Sequence, residues 1–83
     1  MSHFLLGYVA DRWPKHWERI LWRYDCVSFH VDHRVLNERR VREVKDKNYL
    51  LLAYTVNDRR RANTLFDMGV DAVFSDDPLL LRE

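Results

Sequence analysis

Apolar residues along this chain fall into four short runs, separated by segments in which they recur at helical spacing. The third run, Tyr49 to Asp58, is the most informative. Its first eight residues are apolar, aromatic or β-branched, and it stops on Asn57-Asp58, a polar pair suited to starting a helix. A strand that apolar along its length is expected to be covered on both faces, as strands of a parallel sheet between helices are. Its polar end lies at the carboxyl end of the strand, where α/β proteins place their chemistry.

The other runs repeat this pattern. A first strand is predicted from about Phe4 to Val9, closing on Asp11. Trp13, Trp17, Ile20, Leu21 and Tyr24 then form a helical stripe, with Pro14 expected in the first turn, where its missing N–H costs nothing. Trp13 and Trp17 are read as core covering a sheet rather than as a stacking surface for a ligand. A second strand, Cys26 to Val31, ends on Asp32-His33. Asn37 is placed to cap the next helix, with Leu36 packing on Val41 as a hydrophobic staple. Only Val41 and Val44 are strongly apolar in that helix, so it is an outer helix whose interleaved Arg, Lys, Glu and Asp residues form a solvated face with i,i+4 pairs. After the third strand, Asp58 caps a helix with the stripe Ala62, Leu65 and Phe66. Gly69 ends it, and Val70 folds back onto Leu65. Arg59, Arg60 and Arg61 lie in its first turn, where positive charge opposes the helix dipole; they read as surface residues, with a nearby phosphate as the alternative. A fourth strand, Asp71 to Ser75, runs into Asp76-Asp77-Pro78, and residues 79–83 look like the start of one more helix.

The order is βαβαβαβ, with strands recurring about every 22 residues and each closing on an acidic residue. Compact units of this kind build a (β/α)8 barrel, and four strands are half of one. The expected fold class is therefore α/β, a partial (β/α)8 TIM barrel of about four βα units forming a parallel sheet with outer helices.

The 83 residues make one small domain, which at this size buries roughly 60% of its unfolded surface. Fourteen basic residues against thirteen acidic leave a net charge of +1, which gives no overall drive toward nucleic acid or membrane. Cys26 is the one cysteine, so a disulfide framework is excluded and a buried reduced thiol is expected. No basic segment followed by a long apolar one opens the chain and no run is long enough for a membrane span, so a soluble, cytoplasmic protein is expected.

His30, Asp32 and His33 form the one cluster with metal-ligand character. On a strand, His30 and Asp32 share a face and His33 takes the other, so at most two can share a metal, with Asp11, Asp76 and Asp77 as possible contributors at the same sheet end. The plainer reading gives Asp32 and His33 turn hydrogen bonds and leaves His30 lining the barrel interior or a substrate pocket. No Gly-rich phosphate loop, nucleophile elbow, Cys-x-x-Cys or His-Glu-x-x-His occurs. An independent flavodoxin-like domain is disfavoured, because its first βα turn would need a phosphate loop.

Tyr54-Thr-Val-Asn-Asp58, Ala62, Leu65, Gly69-Val-Asp-Ala72 and Ser75-Asp-Asp-Pro78 together resemble the end of glycerophosphodiester phosphodiesterases. Cys26-Val-Ser-Phe-His-Val-Asp-His33, Leu36 and Val41 look like the preceding unit, closest to the family's bacterial cytoplasmic branch. In the family the last strands read Trp/Tyr-Thr-Val-Asn and Gly-Val-Asp-x-Ile-x-Thr-Asp-x-Pro; Ser75 stands where Thr is usual. The resemblance is strong from Cys26 to Pro78. It implies that residues 1–83 are the C-terminal half of the family's barrel, its fifth to eighth strands. It also implies a phosphoric diester hydrolase of phospholipid and glycerol metabolism, cutting glycerophosphodiesters to glycerol 3-phosphate and an alcohol with a divalent cation, Mg or Ca. The family's catalytic His-Arg-Gly and Glu-x-Asp segments do not occur in this chain. A fragment or truncated relative, inactive alone and binding no cation alone, is therefore expected, and no catalytic residue or metal ligand is assigned. The positions that carry over form a substrate-pocket wall: His30, Tyr54 and Asn57. The expected partners are a glycerophosphodiester for the full enzyme and either a missing N-terminal half-barrel or a second copy of the chain. The alternative function is a non-catalytic half-barrel that self-associates as a structural or ligand-binding module.

Overall fold

The computed structural model describes residues 5–77. Four strands, β1 (Leu6–Ala10), β2 (Cys26–Asp32), β3 (Leu50–Tyr54) and β4 (Ala72–Val73), form one parallel sheet in the order β1-β2-β3-β4. Helices α1 (Trp17–Arg23), α2 (Glu38–Asp46) and α3 (Arg59–Met68) connect them. The α/β fold class and the strand–helix order are those expected from the sequence. Phe4 and the helix expected over residues 79–83 lie outside the described residues.

The helices start and stop largely where their sequences direct. Asn37 accepts a hydrogen bond from the Arg40 N–H at 2.9 Å, and Asp58 accepts one from the Arg60 N–H at 2.9 Å, so each caps its helix. Gly69 ends α3 at φ 115°, and the Val70 N–H returns to the Leu65 carbonyl at 3.0 Å. Asp25 (φ 55°) and Asn48 (φ 65°) do the same work after α1 and α2, so every helix-to-strand turn passes through one left-handed residue. Asp and Asn tolerate that conformation because their short polar side chains bond locally.

Helix α1 departs from expectation. It begins at Trp17, with no side-chain cap from His16, so Pro14 precedes the helix rather than occupying its first turn. Trp13 still reaches the core, but from the loop: its ring lies 5.3 Å from Phe29 and 6.0 Å from Trp17. Tyr24, expected on the buried stripe, sits at the helix end and is exposed, as is Phe66 on α3.

The core lies between the helices and one face of the sheet. Phe29, Val31, Leu51 and Ala53 are completely buried there against Leu21, Val41, Val44 and Leu65. Phe29 is the hub, stacked on Trp17 at 5.8 Å and on Tyr8 at 5.9 Å. Cys26 is a buried free thiol in the same cluster. At the amino-terminal end of β4, the Asp71 carboxylate accepts from Lys45 Nζ at 2.6 Å and from the Leu51 N–H at 2.8 Å. This ties α2, β3 and β4 together at the end of the sheet away from the strands' carboxyl ends.

The other face of the sheet has no helix over it among the described residues. The Val9, His30, Leu52 and Ala72 positions lie in one row across all four strands, with Gly7, Ser28 and Leu50 in the row below. The third strand is thus covered on one face only by the described residues, whereas its apolar sequence led to an expectation of cover on both.

Candidate functional site

Alternation along β2 puts Ser28, His30 and Asp32 on the open face, with Phe29 and Val31 on the covered one. The sequence prediction that His30 and Asp32 share a face therefore holds. Gly7 on the neighbouring strand makes room for them: a Cβ there would lie 2.7 Å from both His30 Nε2 and Ser28 Oγ. Ser28 Oγ and His30 Nε2 share a hydrogen bond of 2.8 Å, and the imidazole stacks on Phe74 with ring centroids 5.9 Å apart. Burial lowers the His30 pKa, which favours the neutral ring at physiological pH.

Tyr54 ends β3 beside Asp32 and donates its phenolic O–H to Asp11 Oδ1 at 2.6 Å. That hydrogen bond, with some burial, pushes the phenol up to about 12, so Tyr54 remains a protonated donor. Asp32 accepts from the Arg34 N–H at 2.9 Å and from Arg34 Nε and Nη2 at 3.0 and 2.6 Å. These bonds hold its carboxyl down at about 2. Strand β2 stops here because Asp32 caps a short 3₁₀ turn, His33–Val35.

The turn changes the role of His33, which does not continue the strand alternation. Arg61 of α3 donates from Nε to His33 Nδ1 at 3.1 Å and from Nη2 to the His33 carbonyl at 2.8 Å. Because Nδ1 is the acceptor, the neutral ring carries its proton on Nε2. Burial and the Arg61 charge both lower the His33 pKa. Asn57, after β3, accepts through Oδ1 from Ser75 Oγ at 2.7 Å and from the Asp76 N–H at 3.2 Å, which leaves its amide N–H groups as the donors it can offer a ligand.

Shallow cavities at this carboxyl end of the sheet border the strand-end residues. One of about 410 Å³ is lined by His33, Val56, Asn57, Asp58 and Arg61. Another, about 330 Å³, is lined by Asp32, His33, Arg34, Tyr54 and Thr55. Tyr54 and Asn57 thus border adjacent cavities that share His33, while His30 lines neither and sits lower on the open face. The Asp11–Tyr54 bond and the Arg61–His33 bond join residues distant in sequence, and no local pattern announced either.

No three His, Cys, Asp or Glu side chains among the described residues come together to hold a metal ion. Asp32 is engaged by Arg34 and Asp11 by Tyr54. No described helix is long and apolar enough to cross a membrane.

Known proteins share both this sequence and this fold. A glycerophosphodiester phosphodiesterase of Bacillus subtilis (strain 168) is 36% identical over 58 residues, which are 70% of this chain and 20% of the relative. The structure of an Oleispira antarctica phosphodiesterase, in complex with the product sn-glycerol-3-phosphate, superposes with a TM-score of 0.83 at 36% identity, covering 87% of this chain and 29% of that one. A chain from Silicibacter pomeroyi DSS-3 shares the fold at 17% identity, with a TM-score of 0.72 over 89% of this chain and 28% of its own. The chain therefore spans less than a third of the length of each of these proteins. The model of the glycerophosphoryl diester phosphodiesterase family matches residues 2–80, nearly the whole sequence, and the chain belongs to that family.

Proposed function

We propose that these residues form the C-terminal half, strands five to eight, of a barrel that hydrolyses glycerophosphodiesters to glycerol 3-phosphate and an alcohol. In this reading the chain contributes part of the substrate-pocket wall and not the reacting groups. The observation that carries it is the close superposition on the Oleispira phosphodiesterase, whose structure contains sn-glycerol-3-phosphate. The donors at the carboxyl end of the sheet agree with it. Tyr54 is kept protonated by Asp11, and Asn57 has its carbonyl engaged and its N–H groups to offer, so both suit an oxygen-rich ligand. His30, neutral and stacked on Phe74, forms the lower wall.

The acid, the base and the carboxylates for a divalent cation would come from segments with His-Arg-Gly and Glu-x-Asp, which these residues do not contain. A cytoplasmic setting belongs to the same reading. The direct test is an assay of the 83-residue chain on glycerophosphocholine with Mg²⁺ or Ca²⁺. No hydrolysis is expected, and clear turnover would overturn the assignment of the reacting groups to other strands. Chemical-shift titration with sn-glycerol 3-phosphate is expected to move Tyr54 and Asn57 before any residue under the helices; no shift at saturating ligand would remove the wall assignment.

The uncovered sheet face supports a second reading for the chain in isolation, in which two copies cover each other's open faces. Sedimentation would decide it, since a well-folded monomer at micromolar concentration is incompatible with that pairing.

A further inference from the structure

The outer surface of α1 is unlike the rest of the molecule. Between Arg12 and Tyr24 four basic residues stand against one acidic residue, while the other seventy residues carry ten basic against twelve acidic. The near-neutral net charge conceals this separation. Trp17 and Leu21 turn toward the sheet and are buried, so Arg19, Trp22 and Arg23 fall on the opposite side of the helix. Trp22 is 79% exposed. A shallow cavity of about 420 Å³ beside Trp22 is lined by Lys15, His16, Glu18 and Arg19. Its one acidic residue, Glu18, is paired at 3.5 Å with Lys47, just after α2.

A tryptophan so exposed loses the benefit of burial in the isolated domain. In this chain no element among the described residues covers the side of α1 that points away from the sheet. We propose that this surface docks on an anionic phospholipid bilayer, with Trp22 at headgroup depth and Lys15, Arg19 and Arg23 against lipid phosphates. An amphipathic indole ring settles at the membrane–water interface, and clustered Lys and Arg residues are drawn to a negative leaflet surface. Charge complementarity selects this partner: an uncharged apolar partner would leave three cations unpaired around the tryptophan.

Co-sedimentation of the 83-residue chain with vesicles tests the docking. Binding is expected to phosphatidylcholine vesicles containing phosphatidylglycerol, weakening with salt, and much less to pure phosphatidylcholine. The R19Q/R23Q double variant should bind the anionic vesicles roughly 30-fold more weakly. Trp22→Ala should also weaken binding, and both variants should keep the circular dichroism of the parent, since neither side chain is in the core. Equal binding to neutral and anionic vesicles would assign the interaction to the open sheet face and overturn the proposal. So would no vesicle binding alongside retention on an acidic polypeptide, or binding unchanged in both variants.

Discussion

The two faces of this one sheet are built from alternate residues of the same strands, yet they are in opposite states. Under the helices, Phe29, Val31, Leu51 and Ala53 have no solvent contact. One residue away on the open side, Val9 is 62% exposed, Leu50 49% and Phe74 48%. Composition already differs, since the open face carries Ser28, His30 and Asp32 where the covered face has Phe29 and Val31, but the open face also holds the apolar Val9, Leu50 and Leu52. What separates them further is that α1, α2 and α3 all cross on the same side. Helices can cover only one face of a sheet curving toward closure, and the other becomes the inside of a barrel when the remaining strands are present.

Truncation experiments sharpen that contrast. Phe29→Ala, at the centre of the aromatic cluster, should destabilise the fold by about 3–5 kcal/mol in urea titrations, enough to unfold a domain this small. Leu50→Ala on the open face should cost under about 1 kcal/mol in the same measurement, because Leu50 is half in water already. Equal losses would show that the open face is covered in solution.

The Gly7→Ala variant probes the open face from its least tolerant position. The added methyl overlaps His30 Nε2 and Ser28 Oγ, which should break their hydrogen bond and cost about 1–3 kcal/mol. An unchanged His30 ring titration by NMR would show that the strands move apart instead. Asp71→Asn tests the clamp under the covered face. It removes the charge that Lys45 meets while leaving an acceptor for the Leu51 N–H, so a loss of about 1 kcal/mol is expected by thermal unfolding. Lys45→Met should reproduce most of that loss and add little to it in the double variant.

The smallest effect is the pH response of Asp32. Its carboxyl is depressed to about 2 by Arg34, so its contribution to stability is present above the ordinary carboxylate pKa and is lost as pH falls through that value toward 2. Carbon-13 NMR of the carboxyl should show the low midpoint, and Arg34→Gln should raise it only part of the way to the ordinary range, because the backbone N–H of residue 34 still donates to Asp32. An unchanged midpoint in that variant would remove the guanidinium as the main cause.

Much of this fold was legible in the sequence because its signals are local. Asn37, Asp58 and Gly69 mark helix ends through bonds spanning only a few residues, and alternation along β2 placed His30 with Asp32. The start of α1 is not legible, because Trp13 has helical spacing to Trp17 but packs from the loop, and periodicity cannot distinguish the two. The site was less legible. Tyr54 and Asn57 could be placed at the strand end by pattern and family resemblance, but Asp11 meets Tyr54 across the intervening strand β2, and His33 meets Arg61 only because the chain leaves β2 through a tight turn. Contacts of that range depend on how units stack, which no single stretch encodes.

The clamp at Asp71 also bears on how the family's members are recognised. Gly69-Val70-Asp71 is one of the stretches that carry the family resemblance, yet every role visible for it is architectural. Gly69 reverses the chain, Val70 seals the core, and Asp71 fastens a lysine and a backbone amide at the end of the sheet away from the pocket. In this chain that stretch therefore serves the scaffold, and a likeness that rests on it speaks for the fold before it speaks for the cutting of a phosphodiester bond.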